Sequence, residues 1–386
     1  MDVPRPPCPH YPDCAGCALI GTPYTAQLEQ KHARVRAALA AHASLVGLEV
    51  PRVIGSPRVF GYRNQAKLVA RRARHGLLLG VYRPGTHDVV DIGNCPVHHP
   101  LVARALAGVR AALEQAEAPA YDERAASGWL RYVVVRGSEW KKTAQIILVV
   151  HDRRWRGETA LLARLRRLRG VSSVVLNVNT TAGNVIFGPR FMAVTREPAL
   201  FERIGGLKLR SGAGAFLQAN IGTARRVYEQ VARWADVQPG EVAVDLYAGV
   251  GAISFHLAGQ AGLVIGIEEN PIAVGDARLN IRLNGYHNVR FRAGASGPGL
   301  VALRGELDGI DVITLNPPRK GADLATRAAI VAAAPSRIVY VSCDPETLAR
   351  DLDWFAAHRY RPAGLQPYDM MPQTDHIECV ALLRRA

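Results

Sequence analysis

The stretch Val242-Ala-Val-Asp-Leu-Tyr-Ala-Gly-Val-Gly251 constrains this chain more than any other segment. An apolar strand runs into the carboxylate of Asp245, a turn containing Gly249 and Gly251 follows, and a helix starts near Ala252. The glycines are needed because the backbone turns sharply there and a ligand must approach without a Cβ in its way. Seventeen residues after Gly251 the next strand ends at Glu268, where an acid is placed to accept hydrogen bonds from two ribose hydroxyls. Nicotinamide-dependent enzymes share much of this loop. They fit less well because this loop lies after an unrelated front half and the fourth strand ends in Asn316-Pro317-Pro318-Arg319.

From about Gln218 onward strands and helices alternate. Strands are expected over 242–246, 263–267, 289–292, 311–315 and 337–342, with two terminal ones over 364–368 and 376–383. Continuous apolar strands separated by helical segments predict a mostly parallel α/β sheet covered on both faces. The front half reads differently. Helices are expected over 24–42 and 101–116, and strands over 65–70, 80–82, 89–92, 132–136, 144–151, 174–179 and 184–187, the last two joined by a turn at 181–183. This is an α+β region without a β-α rhythm. With 386 residues the chain is long enough for two or three domains. The expected division is 1–98, 99–215 and 216–386.

Charge separates the same two halves. Residues 1–205 hold 29 of the 48 Lys and Arg and 15 of the 33 acids, a net of +14, whereas residues 206–386 carry +1. Arginines cluster at 71, 72 and 74, at 153, 154 and 156, and at 164, 166, 167 and 169. A compositional preference for Arg over Lys accounts for some of this, but not for the neutrality of the back half. The front half therefore reads as the part that meets a polyanion, RNA or DNA. No amphipathic basic segment with bulky apolar anchors points to a membrane surface, no apolar run approaches a span, and the N-terminus lacks a secretory core. A cytoplasmic protein is expected, with no obligatory protein partner evident.

In an open α/β sheet, chemistry gathers at the carboxyl ends of the strands. Asn316-Pro-Pro-Arg-Lys-Gly321 makes a rigid loop whose carbonyls and Asn amide can face a planar base. Ser342-Cys343-Asp344-Pro345 ends the next strand, and Pro345 opens a helix, so Cys343 stands where a helix N-terminus favours a thiolate. A cysteine at a strand end is equally at home as a small buried hydrophobe. A thiolate beside a methyl-donor pocket suits one reaction in particular. C5 of uracil accepts a methyl group only after a thiol has added at C6, and a base must then remove the C5 hydrogen. Asp375, His376 and Glu378, ahead of an apolar final strand, are the candidates for that base. Cys379, inside the apolar run, reads as core.

Taken together, Phe216-Leu-Gln-Ala-Asn220, Asp245-Leu-Tyr-Ala-Gly-Val-Gly251, Asn316-Pro-Pro-Arg-Lys-Gly321, Ser342-Cys-Asp-Pro-Glu-Thr-Leu-Ala-Arg-Asp351 and Met371-Pro-Gln-Thr-Asp-His-Ile-Glu378 resemble the RNA uracil-C5 methyltransferase family over nearly the whole chain. The resemblance implies a class I S-adenosylmethionine methyltransferase fold, Rossmann-like with a mostly parallel seven-stranded sheet, preceded by an α+β RNA-binding region with an iron–sulfur site. It implies that Cys343 is the nucleophile and Glu378 the base, with Gln218, Tyr247, Glu268 and Asn316 around S-adenosylmethionine. Tyr247 stands where the family usually has Phe, and Asn316 where many members have Asp. Within the family the chain is most similar to the branch acting on 23S rRNA at uracil 747, which has Asn there, lacks an N-terminal β-barrel module and carries a cluster.

Cys8, Cys14 and Cys17 form a C-x5-C-x2-C array, and Cys95 is the remaining front-half cysteine. By count, four thiolates suit a [4Fe-4S] cluster or a zinc ion equally. The family resemblance favours the cluster, with a bracing or a redox-sensing role. The target uracil is expected in a loop and flipped out. Phe60, Tyr62, Arg63, Gln65 and Lys67 offer rings and cations that stack on bases, hold phosphates, or simply form core and surface. Three rivals stand beside this reading: a uracil-C5 enzyme acting on another rRNA or tRNA site, an exocyclic-amine methyltransferase, and a non-catalytic RNA-binding or redox-sensing iron–sulfur protein. An amine methyltransferase typically places an aromatic at the position of Arg319 and has no need of Cys343.

Overall fold

A computed structural model describes residues 8–74, 76–152, 155–181, 183 and 185–386. Two compact units divide the chain. Met1–Gly21, Arg58–Glu202 and Ser211–Gly214 form the first, and Thr22–Pro57, Arg203–Arg210 and Ala215–Ala386 the second. The expected first region, 1–98, is therefore split. Its helix, α1 (Tyr24–Ala40), belongs with the back of the chain, because its buried stripe of Gln27, Lys31, Val35 and Leu39 finds its partners there.

The first unit is built on a seven-stranded sheet, β1 (Gln65–Ala73), β2 (Gly76–Tyr82), β3 (Val89–Asp91), β4 (Leu130–Ser138), β5 (Thr143–Val150), β6 (Val171–Val178) and β7 (Arg190–Ala193), in the order β3-β2-β1-β4-β5-β6-β7. All neighbours are antiparallel except β5 and β6, which α3 (Glu158–Leu165) joins as a parallel crossover after α2 (Pro100–Gln115) has followed β3. That crossover is a departure from the expected absence of β-α rhythm. Ala66, Leu68, Val133, Val135, Ile146, Leu148 and Leu176 share a core with Val102, Leu106 and Val109 of α2 and Leu161 and Leu165 of α3. A strand expected over 184–187 is not found over 185–187, and residue 184 lies outside the described residues, as do Arg153 and Arg154. The backbone there is satisfied by side chains instead of a ladder. Asn179 Nδ2 donates to the carbonyls of Val185 (2.7 Å) and Ile186 (3.0 Å), and Asn177 Nδ2 to that of Gly188 (2.8 Å). Pairing resumes only at β7.

A hairpin of β8 (Ala199–Ile204) and β9 (Leu207–Gly212) precedes the second sheet. The second unit carries β10 (Val242–Leu246), β11 (Leu263–Glu268), β12 (Val289–Ala293), β13 (Val312–Leu315), β14 (Arg337–Ser342), β15 (Tyr360–Tyr368) and β16 (Glu378–Arg385), in the order β12-β11-β10-β13-β14-β16-β15. Every pair from β12 to β14 is parallel, and β16 runs antiparallel to both its neighbours. The helix α4 (Ile221–Ala235) precedes β10, and five helices join these strands: α5 (Ala252–Leu257), α6 (Pro271–Asn284), α7 (Ser296–Arg304), α8 (Leu324–Ala333) and α9 (Pro345–Ala356). Val244, Leu246, Ile265, Ile267, Ile313 and Leu315 fill one face, while Ala243, Val264, Val312, Val339 and Val341 fill the other. Burial on both faces is what made these strands read as unbroken apolar runs. The chain turns from β10 toward β11 on one side and β13 lies on the other, so the carboxyl ends of β10 and β13 border the switch point where such sheets bind ligands.

Candidate active site

At the end of β10 the carboxylate of Asp245 is buried. It accepts hydrogen bonds from Ser254 Oγ (2.6 Å) and Thr314 Oγ1 (2.8 Å), while burial pushes its pKa up to about 6. It is a structural pin between β10, α5 and β13. The turn that follows holds Tyr247, Gly249 and Gly251 at φ 59°, 56° and 91°. A left-handed tyrosine costs about 1–3 kcal/mol, a strain that residue type did not announce. A Cβ on Gly251 would lie 2.6 Å from Phe291 and 2.7 Å from Phe255, so nothing larger fits.

The Glu268 carboxylate caps this loop. One oxygen accepts from the Gly249 N–H (2.9 Å) and the other from the Asn270 N–H (2.7 Å). Each oxygen keeps a lone pair for a further donor, which is what a ribose diol requires. Tyr247 is half-buried, with its hydroxyl 3.5 Å from Thr326 Oγ1. Gln218 and Asn316 are also half-buried, and among the described residues no protein group bonds either side-chain amide. The donors, acceptors and glycine-lined turn fit S-adenosylmethionine.

Two loops beyond this pocket are locked together. Asp344 caps α9 by accepting from the Thr347 N–H (2.9 Å), and Thr347 Oγ1 donates to the carbonyl of Arg319 (3.0 Å). Arg350 donates to the Lys320 carbonyl (2.9 Å) and to buried Asp351, which also accepts from Tyr340 Oη (2.7 Å) and the Ala322 N–H (3.0 Å). The Asn316–Gly321 turn and the Cys343 turn are therefore one rigid wall.

Cys343, half-buried, follows β14 directly. Ser342 pairs with Cys379 across β14 and β16, so one more step of that antiparallel register sets Cys343 opposite Glu378. Glu378 is 4% exposed, and burial pushes its carboxyl up to about 7. Burial and the facing Glu378 raise the Cys343 thiol, while the Arg319 guanidinium pulls it toward the thiolate. The favourable setting expected at the helix N-terminus is thus outweighed by desolvation. Of the other candidate bases, His376 has Arg319 Nη2 2.9 Å from its Nε2, and burial and that cation hold its pKa down. Asp375 is exposed. Cys379 is fully buried in the core, as expected. The Arg319–His376 contact went unforeseen, because its partners lie 57 residues apart.

In the first unit Tyr62 is core, Phe60, Arg63 and Gln65 are half-buried, and Lys67 is exposed with its ammonium 5.7 Å from the centre of the Phe187 ring. The four front cysteines are half-buried free thiols. Burial and then Cys95, Cys14 and Cys8 push Cys17 up to about 12, so the four lie within each other's electrostatic reach. Backbone N–H groups point at two of the sulfurs, from Gly16 to Cys14 (3.4 Å) and from Val97 and His98 to Cys95. Among the described residues no three His, Cys, Asp or Glu side chains are gathered closely enough to hold a metal ion.

Strand order, switch-point pocket and glycine turn define a class I S-adenosylmethionine-dependent methyltransferase. Residues 206–386 match the family model described as tRNA (Uracil-5-)-methyltransferase. An uncharacterized RNA methyltransferase of Geobacter sulfurreducens is 42% identical over 98% of this chain and 77% of its own length, and one of Halalkalibacterium halodurans is 34% identical over 98% and 82%. The tRNA (uracil-54, C5)-methyltransferase of Pyrococcus abyssi, solved in complex with S-adenosyl-L-homocysteine, superposes with a TM-score of 0.75 at 27% identity, over 96% of this chain and 86% of that one. The chain belongs to the RNA uracil-5-methyltransferase family and is an S-adenosylmethionine-dependent RNA methyltransferase. Among the described residues no helix is long and apolar enough to cross a membrane.

Proposed function

We propose that this enzyme methylates C5 of a uridine in 23S rRNA of the uracil-747 type, with Cys343 as nucleophile and Glu378 as base. The observation that carries the chemistry is the pairing of a half-buried thiol with a buried carboxyl opposite it, at the edge of a methyl-donor pocket. S-adenosylmethionine supplies an electrophilic methyl group. Gln218, Tyr247, Glu268 and Asn316 hold it, the first and last through amides that have no protein partner among the described residues. Cys343 loses its proton to solvent and its sulfur bonds to C6 of the uracil, so that the ring electrons move to C5 and O4. C5 then captures the methyl group. Glu378 takes the C5 proton, the C5–C6 double bond reforms, and the sulfur leaves as thiolate. A base with a pKa near 7 is matched to this step, because it is substantially ionised at neutral pH yet still holds a proton well.

Asn316 and the cysteine array favour the 23S branch, in a cytoplasmic setting. Cys8, Cys14, Cys17 and Cys95 would hold a [4Fe-4S] cluster. By count the four thiols suit a cluster or a zinc ion alike, and the family resemblance favours the cluster. The chemistry above consumes no electrons, so the cluster's part is to brace the Cys8–Cys17 segment against Cys95. Because the Pyrococcus abyssi enzyme acts on tRNA by its description, tRNA is the reading to test against. Mass mapping of modified uridines in a strain lacking this protein should show one 5-methyluridine missing from 23S rRNA. Loss from tRNA alone would overturn the rRNA assignment and leave the chemistry standing.

A further inference from the structure

The base enters through an irregular segment. β15 ends at Tyr368, and residues 369–377 cross without regular structure before Glu378 opens β16, with Gln373 at φ 70°. Such a strap has no ladder to fix it, so its backbone groups need partners elsewhere. Asp369 and Met370 find them on Ile54 and Asn220, and the middle of the strap finds them on α1. Lys31 Nζ donates to the Met371 carbonyl (3.1 Å), Gln27 Oε1 accepts from the Gln373 N–H (2.9 Å), and Arg34 Nη1 donates to the Asp375 carbonyl (3.1 Å). Three residues on one helix face thus hold every second residue of the strap. At its root Lys31 Nζ lies 2.6 Å from Asp369 Oδ1, and Tyr24 Oη donates to Asp369 Oδ2 (2.8 Å). The Lys31 and Asp369 side chains are 1% and 0% exposed. Arg34 also grips Glu346 at the start of α9 with two bonds of 2.8 and 2.7 Å, which ties the same helix to the Cys343 turn.

A buried ion pair is a poor way to add stability, since apolar residues of similar volume do as well or better; what it fixes is geometry. We propose that α1 is the positioning element for Glu378, with Gln27, Lys31 and Arg34 as positioning residues that clamp the 369–377 strap and set where the carboxylate meets C5. This rests on the reading of Glu378 as the base. Gln27 and Lys31 act on proton removal and not on sulfur addition, because they grip the strap, whereas Arg34 also reaches the Cys343 turn through Glu346.

The test uses the full chain, S-adenosylmethionine, and RNA from a strain lacking the protein. In Lys31→Met the first round of methyl transfer should run at about the wild-type rate. Turnover should fall about 10- to 100-fold, the scale of an ångström-sized misplacement. A denaturant-resistant methylated RNA–protein adduct should accumulate, and Lys31→Arg should restore turnover. If Lys31→Met does not fold, Gln27→Leu removes both bonds to Gln373 without stranding a charge and should show the same split in smaller degree. Wild-type turnover and adduct lifetime in the folded variants, or a first round that falls in step with turnover, would overturn the proposal. A wild-type control on 5-fluorouridine RNA separates the two readings. No Cys343 adduct there would sink the assignment of the site itself, whereas an adduct alongside normally releasing variants would sink the clamp alone.

Discussion

Both large sheets of this protein have seven strands, but they treat their strand ends in opposite ways. In the first, every neighbouring pair but β5 and β6 is antiparallel, so successive strand ends fall mostly on opposite edges. In the second, parallel strands deliver Asp245, Glu268, Asn316 and Cys343 to one edge from positions spread over a hundred residues. Glu378 joins them only because β16 is reversed, which puts its first residue where its neighbours have their last. The single antiparallel strand is therefore what sets the Glu378 carboxyl opposite the Cys343 thiol. Charge shows the converse pattern. The half of the chain with the basic excess is the one whose sheet gathers no chemistry.

If that division holds, changes at the second sheet's edge should remove chemistry without removing RNA binding. Cys343→Ala should lower methyl transfer by at least ~10^4-fold, the scale on which loss of a covalent nucleophile acts, while RNA affinity in a filter-binding assay stays near wild type. Glu378→Gln should lower turnover by about 10^2- to 10^4-fold and leave the methylated adduct trapped on the protein, visible as a band that survives denaturing gels. In the wild type the release step should speed up as pH rises through about 7, because Glu378 must be ionised to accept the proton. Stability should run the other way. Burial raises the folded-state pKa, so the stability that protonated Glu378 contributes at low pH is lost as pH climbs through about 7. Glu378→Gln should accordingly melt higher than wild type at pH 8, with the gap closing toward pH 5.

Much of this edge was legible in the sequence, since each strand there carries its own signal: an apolar run, then a residue type that an apolar run does not need. Asp245, Glu268, Asn316 and Cys343 announce themselves in that way, whereas Glu378 stands ahead of its apolar run as one of three candidates with Asp375 and His376. What could not be read were the partners that act across sequence distance. Lys31 carries no signal of its own, although its place on the 27, 31, 35, 39 stripe is a usable hint that it is buried. Part of the front half's positive charge is also structural. Arg131 and Arg136 are buried and donate to the carbonyls of Asn179 (2.9 Å) and Gly212 (2.8 Å), so they hold the first unit together instead of meeting RNA. Side-chain amides replacing a ladder at Val185 and Ile186 likewise leave no trace in hydrophobic periodicity.

The cofactor turn gives an intermediate effect. Gly251→Ala forces a left-handed alanine, costing roughly 1–2 kcal/mol, and drives its Cβ into Phe291 and Phe255. S-adenosylmethionine affinity by calorimetry should weaken about 10- to 100-fold, with RNA affinity unchanged. An equal loss of RNA binding would show that the two regions are not independent.

The smallest expected effect tests the other side of the division. Arg166, Arg167 and Arg169 are exposed beyond α3, and no acid pairs with them among the described residues. If they meet the phosphate backbone, each contact should contribute about 0.7 to the slope of log affinity against log salt for single-stranded RNA. Replacing all three by Gln should then flatten that slope by about 2 and weaken binding several-fold at physiological salt. The rate of methyl transfer at saturating RNA should stay put, because no group at the second sheet's edge has changed. A drop in that saturated rate with an unchanged salt slope would mean that these arginines act on the chemistry, and the separation of charge from catalysis would fail.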